Sequence, residues 1–147
     1  MLSASCKYGI RAAVHLARHG HVERNYASIR AVAEALGISF YFLTKILQGL
    51  TQSGLLISSR GPQGGVALAR DPAGITLLEV LRSIDGDALF RECVLGLPMC
   101  DGENPCPLHA QLASRRADLE SLFAGTTLGQ LSGGKSPAPL SSAPAAK

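Results

Sequence analysis

The sequence predicts a mainly α-helical fold with one small β-hairpin and a long C-terminal helix. Three early segments repeat the apolar spacing of an amphipathic helix, a glycine-rich run between two β-compatible segments predicts the hairpin, and leucines at helical spacing mark the last helix. Of 147 residues, 46% are hydrophobic and 17% are charged. The chain can therefore bury a core, and wholesale disorder is excluded.

The first three helices are predicted before residue 55. The first covers residues 5–19, the second runs from Ser28 to Gly37, and the third runs from Ser39 to Gly54. Serine is a favoured N-cap and glycine is favoured just past a helix end, so these boundaries agree with the apolar stripes. The stripes are Ile10, Ala13, Val14 and Ala17; Ile29, Val32, Ala33 and Leu36; and Leu43, Ile46, Leu47 and Leu50.

The second and third helices have the spacing of a helix-turn-helix, and the hairpin follows them directly. Ala33 is small enough to let the helices approach, Gly37 makes the sharp turn, and Leu43 anchors the later helix. Residues 55–60 and 66–70 form the two predicted strands. Helices followed by a hairpin in this order predict a winged helix-turn-helix, with the hairpin as its wing.

The second half of the chain is predicted to contain a capped helix, an irregular loop and a long helix. Thr76 and Glu79 form a capping box, and Pro107 suits the first turn of the last helix. The expected organisation is a winged helix-turn-helix DNA-binding unit in 1–86, a cysteine-rich cluster-binding loop in 87–106, a dimerisation helix and following segment in 107–131, and a disordered tail in 132–147.

Four leucines of the last helix predict a homodimer. Their spacing is nearer 3.5 than 3.6 residues per turn, which is typical of two helices that pair along their length. Arg115 stands where the next apolar residue of the seam would lie. The four residues are Leu108, Leu112, Leu119 and Leu122.

Charge is distributed unevenly along the chain. Residues 1–70 carry eight Lys or Arg against two Asp or Glu, whereas residues 71–147 carry six against nine. Together with the helix-turn-helix, the basic half predicts double-stranded DNA as the partner, with the third helix in the major groove. Phe42 is expected to pack in the core. The predicted DNA contacts are Ser39, Tyr41, Thr44, Lys45 and Gln48 on the third helix and Arg60 and Gln63 at the hairpin.

Three cysteines in the glycine- and proline-rich loop predict a metal site. Cys93, Cys100 and Cys106 are followed by His109, three residues after the last cysteine. Thiolates and an imidazole can hold zinc tetrahedrally, and thiolates also hold iron–sulfur clusters, so the spacing leaves both open. Cys6 stands apart, either as a small packed side chain or as a distant ligand.

These features together resemble the Rrf2 family of bacterial winged-helix regulators over about residues 1–131. The matching segments are Tyr8-Gly9-Ile10-Arg11-Ala12, Gly37-Ile38-Ser39, Leu47-Gln48-Gly49-Leu50, Gly54-Leu55-Leu56, Arg60-Gly61-Pro62-Gln63-Gly64-Gly65, the cysteine triplet and Thr127-Leu128-Gly129-Gln130-Leu131. The resemblance implies a homodimer joined by the long last helix. It also implies DNA binding by the winged helix and a cluster held by the three cysteines, with 2Fe–2S favoured and 4Fe–4S as the alternative.

Two departures from the family pattern bear on the ligands. Six residues separate Cys93 from Cys100, where related cluster-binding proteins more often have five. The fourth ligand varies in the family, and here the first ten residues contain no Asp or Glu, with Lys7 near the acidic position. His109 is therefore the expected fourth ligand, with Cys6, water or a small thiol as rivals.

The expected function is a cytoplasmic transcriptional regulator, a repressor, whose binding to a palindromic operator depends on an iron–sulfur cluster that senses iron, redox state or nitric oxide. The alternatives are a zinc- or thiol-based redox regulator on the same scaffold and a small iron–sulfur carrier. No run of residues is long and apolar enough to span a membrane. An enzyme with a small-molecule substrate is not expected, because neither a Ser/His/Asp arrangement nor a phosphate loop is present.

Overall fold

A computed structural model describes residues 1–133 and 140. Two antiparallel strands form the hairpin, β1 (Leu56–Ser59) and β2 (Gly65–Leu68), and a short 3-10 helix covers Pro72–Gly74. The α-helices are α1 (Ala4–Arg18), α2 (Ile29–Leu36), α3 (Phe40–Gln52), α4 (Leu77–Asp85), α5 (Ala88–Arg91), α6 (His109–Gly125) and α7 (Leu128–Gly133).

The predicted helix boundaries are confirmed for α1 to α4. The Ser3 hydroxyl caps α1 by accepting from the backbone N–H of Cys6 at 3.0 Å. Gly37 ends α2 in the left-handed conformation with φ of 63°, which glycine adopts without a steric cost. The capping box at the start of α4 is present in both directions between Thr76 and Glu79.

The hairpin is fixed to the rest of the fold by the segment between α1 and α2. Ala27 and Val66 exchange two backbone hydrogen bonds, at 2.8 and 2.9 Å. This approach leaves no room for a side chain at Gly65, where a Cβ would lie 1.9 Å from the carbonyl oxygen of Ala27. The orientation of the hairpin relative to α2 and α3 therefore requires glycine at this position.

The main core collects buried side chains from α1, α2, α3 and the hairpin, and the end of the chain enters it. Leu128 of α7 is fully buried, and its backbone N–H donates to the carbonyl of Ile75 at 2.9 Å. The carbonyl of Thr126 accepts from the N–H of Leu77 at 2.8 Å. The segment that follows α6 thus returns to the winged unit and completes its core.

The long helix α6 lies against a second, smaller core. Leu119 and Phe123 of α6 pack against the buried cluster of Cys6, Leu78, Leu81 and Phe90. Within the described residues, no side chain of α6 is fully buried, although the helix is 17 residues long. One broad face of α6 is therefore left open.

Two expectations about the second half need adjustment, the position of Pro107 and the start of the disordered tail. Pro107 is not in the first turn of α6, because Cys106 to Leu108 form a turn and the helix begins at His109. The predicted tail starts inside α7, which ends at Gly133, and Leu140 packs against the main core. The other residues of the predicted tail lie outside those that the structure describes. No helix in the described part is both long and apolar enough to cross a membrane.

Candidate metal centre and nucleic-acid interface

The loop between α5 and α6 brings the three predicted cysteines together. Their sulfur atoms all lie within 4.8 Å of one another. The Sγ atoms of Cys93 and Cys106 are 3.8 Å apart, and the backbone N–H of Cys106 points at the Sγ of Cys100 at 3.4 Å. Cys93 follows α5 and Cys106 precedes α6, so the sulfur cluster joins the ends of two helices.

His109 reaches the same cluster from the first position of α6. Its Nδ1 atom is 3.3 Å from the Sγ of Cys100. Cys106 and His109 are brought together because the N–H of His109 donates to the carbonyl of Cys106 at 2.9 Å, which closes the turn before the helix. His109 therefore contacts one of the three clustered thiols, and the group of ligand atoms that all lie within 4.8 Å of one another contains the three cysteines.

The surroundings in the loop shift the pKa values of the Cys93 and Cys100 thiols in opposite directions. Backbone N–H groups of Leu97 and Leu95 donate to Cys93 and lower the pKa of its thiol to about 7, against the effect of burial. At Cys100 the N–H of Cys106 also lowers the pKa, but burial and the neighbouring thiols outweigh it and the pKa is raised. Cys93 is thus more readily deprotonated than Cys100, and the thiolate is the form that binds metals.

A turn centred on Asp101 shapes the loop between Cys100 and Cys106. The carboxylate of Asp101 accepts from the backbone N–H groups of Asn104 at 2.8 Å and Glu103 at 2.9 Å. These two hydrogen bonds stabilise the charged carboxylate and lower its pKa. Sequence reasoning had not assigned this residue a role, although an acidic residue followed by Gly is a common turn signal.

Cys6 lies in a different environment. It is fully buried in the second core, and burial together with the nearby Asp85 carboxylate raises the pKa of its thiol to about 12. Among the described residues, the convergent group of potential ligands contains Cys93, Cys100 and Cys106 but not Cys6. Of the two alternatives for Cys6, this arrangement supports a small packed side chain over a distant metal ligand.

A polar groove between α3 and the hairpin forms the candidate DNA surface. Three of the predicted contacts, Thr44, Gln48 and Arg60, line it together. Thr51 of α3 and Ser58 of β1 line the groove as well. The sequence did not indicate them, because which faces of α3 and β1 meet depends on how the hairpin is oriented against the helix.

The other predicted contacts lie on open surface. Ser39, Lys45 and Gln63 are exposed, and Tyr41 is 80% exposed. Phe42 was expected in the core, but it is 37% exposed and packs edge-on against Tyr8 with ring centroids 5.7 Å apart. The start of α3 therefore presents two aromatic side chains to solvent.

The hydroxyl of Thr44 is less available for hydrogen bonding to DNA than its position on α3 suggested. Its hydroxyl donates to the carbonyl of Phe40 at 2.7 Å, one turn earlier in α3. The hydroxyl proton is thus used within the helix, and only the oxygen lone pairs remain to accept a hydrogen bond. We therefore rank Tyr41 and Gln48 above Thr44 as groups that read bases.

Arg30 is a cation near α3 that sequence reasoning did not include among the DNA contacts. Its guanidinium lies over the ring of Phe40, 4.7 Å from the ring centre. Such a cation–π contact fixes the side chain of α2 beside the first turn of α3. In the sequence, Arg30 and Phe40 are ten positions apart, and no local pattern indicates that they are in contact.

The four leucines of the predicted seam differ in exposure. Leu122 is 61% and Leu108 is 40% exposed, whereas Leu112 and Leu119 are half-buried. Leu119 also contacts the second core of its own chain. Leu108 and Leu122 are therefore the exposed members of the predicted seam, whereas Leu119 packs within its own chain.

Comparison with known proteins identifies similar chains. A model of the Rrf2 family, described as an iron-dependent transcriptional regulator, matches residues 2–133. The transcriptional regulator IscR of Klebsiella pneumoniae is 28% identical over 130 residues, which cover 88% of this chain and 78% of that protein. These matches confirm the resemblance drawn from the motifs, and they are to regulators rather than enzymes, as expected.

Solved structures give the same fold. The IscR structure of T. potens is 26% identical with a TM-score of 0.68, and covers 89% of this chain and 85% of that one. CymR, the global cysteine regulator of B. subtilis, is 23% identical with a TM-score of 0.74, and covers 90% and 95% of the two chains. The predicted fold class, mainly helical with a hairpin wing, is confirmed.

Proposed function

The chain belongs to the Rrf2 family of transcriptional regulators, and we propose that it is a repressor whose operator binding is controlled by an iron–sulfur cluster. Cys93, Cys100 and Cys106 would hold the cluster, with His109 as the fourth ligand. The observation that carries this proposal is the convergence of three thiols within 4.8 Å beside an imidazole, on a loop that joins two helices.

The donor set fits such a group. Three thiols provide the ligands that iron–sulfur clusters use, and histidine replaces cysteine in some of them. The loop that carries them has apolar side chains that face solvent, which include Val94, Leu97 and Met99. A bound cluster would supply a centre whose oxidation or loss reports on iron, oxidants or nitric oxide. We favour the 2Fe–2S type, with 4Fe–4S as the alternative.

DNA binding is assigned to the groove between α3 and the hairpin. Tyr41, Lys45 and Gln48 would enter the major groove, where hydroxyl and amide groups distinguish base pairs. Arg60 and Gln63 at the wing would contact the phosphate backbone or the minor groove, since an arginine there gains from charge whatever the sequence. Ser39 and Thr44 complete the predicted surface on α3.

A homodimer would place two such surfaces on a palindromic operator. The exposed leucines of the predicted seam, Leu108 just before α6 and Leu122 within it, support pairing with the same helix of a second copy. Two-fold symmetry of the protein then matches two-fold symmetry of the DNA site. Because its partner is double-stranded DNA, the protein would act in the cytoplasm.

The chain's own residues connect the cysteine loop to the DNA surface. Cys106 and His109 stand at the start of α6, and α6 is joined to α4 by an ion pair between Arg82 and Glu120. A change in the order of the loop would therefore shift α6 against the winged unit, and with it the spacing of the two α3 helices in a dimer. This is how we expect the site to control operator affinity.

A single zinc ion at the same site is the second candidate. With Zn–S bonds of about 2.3 Å, a tetrahedral ion holds its sulfur ligands about 3.8 Å apart. The Sγ atoms of Cys93 and Cys106 are 3.8 Å apart. This separation fits two thiolates on one tetrahedral zinc ion, and it also fits two thiolates on one iron of a cluster, so the metal has to be identified by analysis.

Anaerobic purification with absorption spectroscopy and assays of iron, acid-labile sulfide and zinc distinguishes the two. A coloured protein with iron and sulfide in equal amounts supports the cluster, and operator titration with and without it tests the control. A colourless protein with one zinc per chain, unable to take up iron and sulfide, would overturn the cluster in favour of zinc.

A further inference from the structure

Three histidines gather at the end of α1, far along the chain from the cysteine loop. His15 lies in the last turn of α1, His19 is its C-cap residue, and His21 follows in the next segment. They are three of the four histidines of the protein. None of them has a part in the DNA surface or the cysteine site described above.

His15 and His19 share one face of the helix end. Residues four apart on a helix are neighbours, and the two ring centroids are 4.4 Å apart. The ring of His21 lies 6.4 Å from that of His19. In the structure the ring nitrogens of the three residues do not all lie within 4.8 Å of one another, so binding of a metal requires a change in side-chain torsions, which the exposed His19 is free to make.

His21 is already oriented as a metal-binding histidine would be. Its Nδ1 atom is 3.2 Å from the carbonyl oxygen of Asn25, so Nδ1 carries the proton and donates it. Metal-bound histidines commonly donate one ring N–H to a carbonyl in this way, which leaves the other nitrogen, Nε2, as the free ligand. The side-chain amide of Asn25 in turn donates to the carbonyl of Gly20 at 2.6 Å and holds the turn.

We propose that His15, His19 and His21 form a second metal site, which binds a divalent transition-metal ion of the Zn²⁺ type through three imidazole nitrogens. Imidazole suits zinc and its neighbours in the first transition row, and three histidines leave a fourth tetrahedral position for water. The site contains no sulfur ligand and is independent of the site proposed for the cysteines.

The ion would join α1 to the wing. The carbonyl of His21 accepts from the N–H of Leu68 on β2 at 2.8 Å, and the N–H of Glu23 donates to the carbonyl of Leu68 at 3.0 Å. A metal bridging His21 to the helix residues His15 and His19 would therefore tie the end of α1 to the strand that carries the hairpin. Such a link stabilises the folded state, because the unfolded chain holds the three ligands apart.

Zinc titration of the full chain tests this site. Replacing Cys93, Cys100 and Cys106 together by Ser removes the sulfur ligands, so that calorimetry with ZnCl₂ reports on the histidines. We expect one equivalent of Zn²⁺ per chain and a rise in Tm on binding. Adding His19→Gln should weaken the affinity by at least about tenfold, as loss of a ligand does, whereas His109→Gln in the same background should leave it unchanged.

A second measurement uses the unaltered chain. After one equivalent of Zn²⁺ has filled the cysteine site, a second equivalent should shift the ring C–H NMR signals of His15, His19 and His21 and leave that of His109 in place. Absence of binding in the serine background, or signals of the three rings that stay fixed on addition of the second equivalent, would overturn the proposal. The titration in the serine background does not depend on whether the cysteines hold an iron–sulfur cluster or zinc, because the sulfur ligands are absent there.

Discussion

Arg82 on α4 and Glu120 on α6 form an ion pair in which Nη2 and Oε1 are 2.5 Å apart. The Nε of the same guanidinium donates to Asp87 at 2.7 Å, just before α5. Arg82 thus contacts both of the chain segments that flank the cysteine loop, α5 through its N-cap and α6 through Glu120. It connects the candidate metal centre to the winged unit.

Replacing Arg82 should weaken the control of DNA binding more than the fold. The pair is partly exposed, so Arg82→Ala should change the free energy of unfolding only slightly. We expect the ratio of operator affinities between the loaded and unloaded protein to fall toward one. Operator titrations of both forms measure it. Arg91→Ala is the control, because it removes only a looser contact of 3.9 Å to Glu120. If the ratio of operator affinities is unchanged in Arg82→Ala, Arg82 does not couple the cysteine site to DNA binding.

Loss of Arg60 should weaken binding to every duplex alike. A phosphate contact releases counterions whatever the sequence, so Arg60→Ala should lower the slope of log affinity against log salt by about one. Fluorescence anisotropy with operator and random DNA at several salt concentrations gives both quantities. Arg91→Ala again serves as the control. If the salt slope of Arg60→Ala equals that of the wild type, the wing does not contact DNA.

Tyr41 should contribute to sequence discrimination instead. It is 80% exposed at the start of α3. Tyr41→Ala should reduce the difference in binding free energy between operator and random DNA by about 1–3 kcal/mol, as expected for loss of a base contact. Tyr41→Phe removes only the hydroxyl, so it distinguishes the contribution of the hydroxyl to binding from that of the ring. If Tyr41→Ala loses the same affinity for operator and for random DNA, Tyr41 contacts the phosphate backbone of the DNA and not a base.

Leu122 is the residue with which to test the dimer. It is 61% exposed on the open face of α6, so Leu122→Asp places a charge in the proposed seam without disturbing the core of its own chain. Leu119→Asp would also damage the second core, because Leu119 packs against it. We expect a monomer by sedimentation and weak binding to a palindrome. Leu122→Ala should remain dimeric, and an intact dimer of Leu122→Asp would place the interface elsewhere.

Single replacements should rank the ligands of the cysteine site. Serine at Cys93, Cys100 or Cys106 should abolish cluster assembly, because two thiolates hold it poorly. His109→Ala should still assemble a cluster, with a shifted spectrum and faster loss in air, since water or a small thiol can replace imidazole. Cys6→Ser should assemble normally. Iron counts and spectra after anaerobic reconstitution test all five. Loss of the cluster in Cys6→Ser with a wild-type spectrum in His109→Ala would reverse the assignment.

Short-range patterns in the sequence were sufficient for α1 to α4 and for the hairpin. Apolar spacing, serine and glycine at helix ends, and the Thr76–Glu79 capping box act within a few residues, so each can be recognised without knowing the rest of the fold. The cysteine triplet and the polar face of α3 were found in the same way, from residue types at close spacing.

Contacts between distant parts of the chain were decided by the tertiary structure. The return of Leu128 to the main core, the backbone of Ala27 against Gly65, and Arg30 over the ring of Phe40 join positions that no local period connects. The hydroxyl of Thr44 was taken up by its own helix, which its residue type did not reveal. The sequence determines which residues favour each element and which can bind metal or DNA. Only packing decides which of them meet, because burial and backbone hydrogen bonding depend on the whole chain at once.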